Sequence, residues 1–149
     1  FSNNRYPHKT TYGHELALSV LYESGIQHMA DKVEAYLSLP EVPKDFLKAV
    51  PAAWDETRFI TGIPGETVVL ARRKGDSWYI GGINGTSENR EIQIETDFLK
   101  SGKDYEMTLI TDGDQPETFH TETRNISKDQ AFQVSLKAYG GFTAQLKEP

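Results

Sequence analysis

Pro51-Ala52-Ala53-Trp54-Asp55-Glu56-Thr57-Arg58, a Gly/Pro turn, and then Glu66-Thr67-Val68-Val69-Leu70-Ala71-Arg72-Arg73-Lys74-Gly75-Asp76-Ser77-Trp78-Tyr79-Ile80-Gly81-Gly82-Ile83-Asn84-Gly85 decide how this chain is read. Across this stretch the hydrophobic period changes. Upstream, apolar residues recur at helical spacing; downstream they alternate with polar ones. From Glu66 on, Ile92 and Ile94 alternate with Gln93 and Glu95, and Tyr105, Met107 and Leu109 with Glu106 and Thr108. Phe132, Val134, Leu136 and Ala138 do the same, as do Phe142, Ala144 and Leu146. One apolar and one wet face per strand is the signature of antiparallel, half-buried sheet. Lys74-Gly75-Asp76 reads as a tight hairpin, and Asp112-Gly113-Asp114 and Gly140-Gly141 as further turns. Phe119 to Arg124 is too polar for a central strand and is assigned to an edge. About seven short strands separated by turns predict a sandwich.

Working back from Pro51, three helical pieces are predicted. His14 to Glu23 carries Leu16, Ala17, Leu18, Val20, Leu21 and Tyr22, with Thr10 or Thr11 as cap and Gly25 as terminator. Gln27 to Tyr36 reads as a second helix, closed by Pro40 and Pro43, and Lys44 to Ala49 as a third turn. The apolar arc of the first helix is broad, which predicts cover on more than one side. Two covers are open: something outside this chain, or an open face of the sheet.

Composition narrows the function classes. The chain of 149 residues carries 37% apolar residues and 16 aromatics (Trp 2, Tyr 7, Phe 7), enough for one core. A net charge of −6 argues against nucleic acid and anionic membrane as partners, since both select basic surfaces. No apolar run approaches the roughly 20 residues of a spanning helix. Phe1-Ser2-Asn3-Asn4-Arg5 has neither an initiator Met nor an apolar leader, so a piece of a longer protein is expected. Zero cysteines excludes disulfides and thiol chemistry.

No catalytic or metal constellation emerges. His14-Glu15 opens like a zinc-protease helix, but Leu18 occupies the second histidine's place. Asp112, Asp114 and Glu117 lack the glycine of a calcium loop and read as an acidic turn. Asp55 and Glu56 are adjacent, whereas glycosidic carboxylates flank a substrate from opposite sides. Trp54 is read as a plug at the helix–sheet junction, with Arg58 paired to an acid. Trp78 is assigned to the core. Tyr79 and Tyr139 are the candidates for sugar stacking, the feature a carbohydrate-binding module would need. Asn84-Gly85-Thr86 and Asn125-Ile126-Ser127 match the glycosylation pattern but read as turn chemistry.

Trp54-Asp55-Glu56-Thr57-Arg58 and Ala71 through Gly85 resemble the C-terminal region of glycoside hydrolase family 97. His14-Glu15-Leu16-Ala17, Tyr22-Glu23-Ser24 and Gln27-His28-Met29-Ala30-Asp31 are similar to that family's last barrel helix, and Tyr139-Gly140-Gly141-Phe142 to its ending. The resemblance implies a fold that is mainly β with N-terminal helices: residues 1–50 from the end of a (β/α)8 barrel, then a C-terminal β-sandwich over 51–149. It implies a non-catalytic accessory and oligomerisation domain in a parent that hydrolyses α-glucosides or α-galactosides. The family's catalytic carboxylates and calcium ion belong to the barrel, so no catalytic residue, metal ligand or cofactor is carried over. The partners implied are the chain's own barrel and further copies of itself, and the location is periplasmic or otherwise exported in a bacterium. Trp54 and Arg58 are expected at the barrel–sandwich junction, with Leu18, Leu21 and Tyr22 facing the barrel.

Overall fold

The computed structural model describes residues 8–148. Three helices come first: α1 (Tyr12–Leu21), α2 (Val33–Leu37) and α3 (Glu41–Ala49). Eight strands follow: β1 (Glu56–Ile63), β2 (Thr67–Lys74), β3 (Ser77–Asn84), β4 (Arg90–Glu95), β5 (Asp104–Asp112), β6 (Phe119–Ser127), β7 (Ala131–Leu136) and β8 (Gly141–Lys147). A six-stranded antiparallel sheet runs in the order β1-β2-β3-β8-β5-β6, and β4-β7 forms a two-stranded sheet. The expected sandwich is therefore present, with unequal halves. Between them lies a core of Val69, Trp78, Ile80, Ile94, Tyr105, Met107, Leu136, Phe142 and Leu146, all buried. Trp78 sits there as expected, tilted against Phe98 at 4.6 Å between ring centres.

The opposite face of the large sheet is covered by α1, and this answers where the broad apolar arc goes. Leu16, Ala17 and Val20 are fully buried, and Leu16 and Val20 cluster with Phe46, Tyr79 and Ile110. Burying each large apolar side chain there contributes about 1.5–3 kcal/mol. Leu18 and Tyr22 lie outside this stripe, half-buried and exposed. Leu21, expected on the outer face, is instead buried within the chain. The helix can lie this close because of Gly81: a Cβ there would meet the Val20 Cβ at 2.8 Å and the Ala17 carbonyl at 3.1 Å. On the sheet's other side, a Cβ on Gly82 would sit inside the Phe142 ring.

Helix ends and one strand differ from the sequence reading. Thr11 is the cap of α1, its hydroxyl accepting from the His14 amide at 3.1 Å. The helix stops at Leu21, because Tyr22 turns extended, well before Gly25. The helix expected over Gln27–Tyr36 shrinks to the five residues of α2. The Gln27 side chain is drawn back instead to the Ser19 carbonyl at 2.9 Å. Pro43 does not break α3 but sits in its first turn, where its missing N–H costs nothing. Strand β1 falls where a loop was expected. Its register with β2 shifts between Phe59 and Thr61, so its burial does not alternate and the period-two signal is lost. β6 is an edge strand, as its polarity predicts.

Candidate functional site

The helical layer is fastened to the sheet at two places. The first is Asp112, at the end of β5. Its buried carboxylate accepts from the Gly13 amide through Oδ1 and the Gly141 amide through Oδ2, both at 3.0 Å. One side chain thus joins the start of α1, the end of β5 and the start of β8. A carboxylate at a helix N-terminus also meets the positive end of the helix dipole. The approach is so close that a Cβ on Gly13 would lie 2.4 Å from Asp112 Oδ1. Sequence reading placed Asp112 in a plain acidic turn and missed this role. The available signal was an aspartate framed by distant glycines, which no local pattern connects.

The second fastening is aromatic. Trp54 is half-buried, edge-on to Tyr79 at 5.4 Å between centres, with the Arg72 guanidinium 5.8 Å from its ring. Tyr79 donates from its hydroxyl to the Ala49 carbonyl at 3.2 Å and accepts from Gln145 at 2.9 Å, so it ties α3 to β3 and β8. Burial pushes its phenol up from its ordinary pKa of 10.0. Arg72 is nearly buried and donates to the Leu21 carbonyl at 3.0 Å and to Glu23 at 3.2 Å, closing the C-terminal end of α1. Tyr79 at 6% exposure is therefore no sugar platform; its ring is spent on Phe46 and Trp54. Tyr139 is half-buried in a left-handed turn (φ 55), its amide bound to Thr86 and its carbonyl to the Thr11 amide.

Arg58 does not join Trp54 at this junction. It stands opposite Ala71, a residue of the inter-sheet core, and so lies on the other face of the large sheet, at its edge. There it pairs with Glu56 at 2.6 Å, and Arg73 donates to the same carboxylate at 3.1 Å. These two cations hold the Glu56 carboxyl below its usual range. Asp55 accepts from the Gly75 amide at 2.8 Å and from Lys74 at 2.9 Å, which lowers its pKa and clamps the β2–β3 hairpin. The adjacent carboxylates are thus committed to structure.

No group of three or more His, Cys, Asp or Glu side chains gathers into a metal site among the described residues. Asn84 is fully buried, donating to the Glu88 and Lys137 carbonyls and accepting from Thr86, so it performs the turn chemistry expected of it. Asn125 instead lies within β6 and not in a turn.

Beyond α1, on the side away from the sheet, the segment from Tyr22 to Tyr36 arches over Tyr12, Glu15, Leu18 and Ser19 and encloses a pocket of about 450 Å³. Of its lining, Tyr22, Ile26 and Met29 are exposed, Ile26 at 74%, and Val33 and Leu37 at the two ends of α2 are exposed as well. So many exposed large apolar side chains in one short segment are unusual on a free-standing domain.

Comparison with known proteins places this architecture. A family model described as "Glycosyl-hydrolase 97 C-terminal, oligomerisation" matches residues 53–147. A probable retaining alpha-galactosidase of Streptomyces bingchenggensis (strain BCW-1) is 39% identical over 145 residues, which are 97% of this chain and 22% of that protein. The retaining alpha-galactosidase of Bacteroides thetaiotaomicron is 37% identical over 89% of this chain and 20% of its own length. The chain therefore spans about a fifth of these relatives. Among solved structures, a glycoside hydrolase family 97 enzyme from Pseudoalteromonas sp. strain K8, in complex with acarbose, superposes with a TM-score of 0.88 at 31% identity, covering 94% of this chain and 23% of that one. A beta-arabinopyranosidase superposes at 0.80 and 32%, covering 92% and 21%. With a sandwich, a helical layer clamped by Asp112 and Trp54, and a family match over most of its length, this chain belongs to glycoside hydrolase family 97, as its C-terminal accessory and oligomerisation domain.

Proposed function

We propose that this chain completes a longer glycoside hydrolase that cleaves α-galactosides or α-glucosides, and that its helical layer seats the catalytic barrel on the sandwich. The observation that carries this is the apolar surface outside α1. α1 has two stripes: Leu16, Ala17 and Val20 close the sheet, while Leu18 and Tyr22 face outward into the surface with Ile26 and Met29. In this reading residues 1–50 form the end of the barrel, residues 51–149 the sandwich, and Trp54 holds the joint between them. Two curated relatives carrying the name alpha-galactosidase favour α-galactosides. The acarbose complex of a relative keeps α-glucosides open. Calcium, in this proposal, is bound by the barrel, and the parent is an exported, periplasmic bacterial enzyme with carbohydrate as its substrate. A sugar-binding role for this chain has less support, since Tyr79 is buried.

The experiment compares Tyr22→Lys with Thr123→Lys, an exposed position on the far edge strand, in the longer protein. Tyr22→Lys should lower the melting temperature and aryl α-galactoside turnover together, while Thr123→Lys leaves turnover alone. Equal turnover and melting in the Tyr22→Lys variant would sink the proposal.

A further inference from the structure

Between α1 and α2 the chain is neither helix nor paired strand, and residues 27–30 run through it without turn or bend. Among the described residues, the amides of Gln27, His28, Met29 and Ala30 donate to no backbone carbonyl. Surface loops are rich in Gly, Pro, Asn, Asp and Ser. Ile26-Gln27-His28-Met29-Ala30 contains none of these.

The side chains of this segment alternate. Gln27 turns toward α1 and donates to the Ser19 carbonyl at 2.9 Å. Asp31 turns the same way. It lies close enough to the Tyr12 and Tyr36 phenols for its charge to reinforce the upward pKa shift that burial gives both. The alternate positions Ile26, His28 and Ala30 are exposed, Ile26 at 74% against 41% for Met29. A period of two, with one side on helices and the other side bare, is that of a strand.

Its surroundings fit the same element. Leu16 and Val20 of α1 and Phe46 of α3 share one cluster, so the helices before and after the segment lie side by side. Helices alternating with a strand through short connections build a parallel sheet, with the crossover helices on its outside. One strand cannot cover a helix, since strands lie about 4.8 Å apart and a helix is about 10 Å across. The pocket of about 450 Å³ between the segment and α1 is the gap that results. A second copy on a two-fold axis would meet the segment antiparallel and leave its other edge open. The rest of the longer protein has the length to supply both neighbours, since this chain spans only about a fifth of its relatives.

We propose that residues 27–30 are a strand of the catalytic barrel's parallel sheet, paired on both edges by strands from the rest of the longer protein, and that His28 projects from its inward side toward the substrate. This rests on the reading of residues 1–50 as the end of that barrel. The side carrying Gln27 and Asp31 meets the helical layer, so Ile26, His28 and Ala30 face the interior. Parallel barrels bind substrate where their strands end, and this strand ends at Ala30. The small Ala30 side chain leaves room there. His28, the next inward residue, offers two ring nitrogens to sugar hydroxyls.

The test is amide hydrogen exchange on the longer protein. The amides of Gln27, His28, Met29 and Ala30 should exchange as slowly as those of β3 and β8, and those of Ser24 and Gly25 quickly. Met29→Pro removes one of these donors and should lower both the melting temperature and turnover, whereas Met29→Leu should lower neither. His28→Ala should reduce kcat/KM on an aryl α-galactoside roughly 10-fold or more, the loss of one buried hydrogen bond. Its melting temperature should stay near that of the parent. Fast exchange at residues 27–30, or a Met29→Pro variant that melts and turns over like the parent, would overturn the strand. Unchanged kcat/KM in His28→Ala, or a fall matched by a lower melting temperature, would overturn the placing of His28. The docking reading fails separately, through a silent Tyr22→Lys variant.

Discussion

Replacing Asp112 by alanine is the sharpest test of how the helical layer is held. The carboxylate satisfies two amides, Gly13 and Gly141, at positions where a Cβ would collide with neighbouring atoms. Each buried donor left without an acceptor costs about 1–3 kcal/mol. Water entering the vacated space recovers part of this, so the expected loss is about 2–4 kcal/mol. For a domain of this size each kcal/mol moves the midpoint by about 2–4 °C, so the melting temperature should fall by roughly 5–15 °C. Asp112→Asn keeps one acceptor oxygen and turns an amide group toward a donor, and should fall between alanine and the parent. The loss should also be local first. In hydrogen exchange, amides of α1 should lose protection before those of β3 and β8. The reasoning is refuted if Asp112→Ala melts within about 2 °C of the parent, or if α1 keeps its protection while the sheet loses its own.

Three further outcomes are expected. Trp54→Ala should cost about 1.5–3 kcal/mol, roughly half the penalty for a fully buried tryptophan, because Trp54 is half-buried against Tyr79 and Arg72; urea unfolding with an unchanged slope measures it. Gly81→Ala should destabilise by about 1–3 kcal/mol by pushing α1 off the sheet, while Gly25→Ala, where nothing lies within 4 Å of the added methyl, should not; paired thermal melts settle this. Stability should be flat near neutral pH and fall in acid. Asp55, Glu56, Asp76 and Glu148 have folded pKa values held below the ordinary 3.8 and 4.5 by hydrogen bonds and cations. Their contribution is therefore complete above those values and is lost as pH falls through the lowered ones. The midpoint followed from pH 7 to pH 3 should decline more gently in Glu56→Gln.

The sandwich and the edge position of β6 were legible in the sequence, as was the core place of Trp78. Each of these rests on alternation or polarity along a few neighbouring residues, which one strand carries within itself. β1 was not legible, because its bulge breaks the alternation that marks a strand. α2 came out short because helical spacing alone does not nucleate a helix where side chains such as Gln27 bond elsewhere.

The candidate site divides in the same way. The sequence by itself determined that an apolar helix precedes a sheet and that Trp54 stands at the change of period. Only the tertiary structure decided which stripe of α1 closes the sheet, that Tyr79 is spent inside, that Arg58 points to the opposite face from Trp54, and that Asp112 holds Gly13 from 99 residues away. Local pattern fixes a residue's face within its own element. Which other element meets that face depends on contacts between segments far apart in the chain, and a single period carries no record of them.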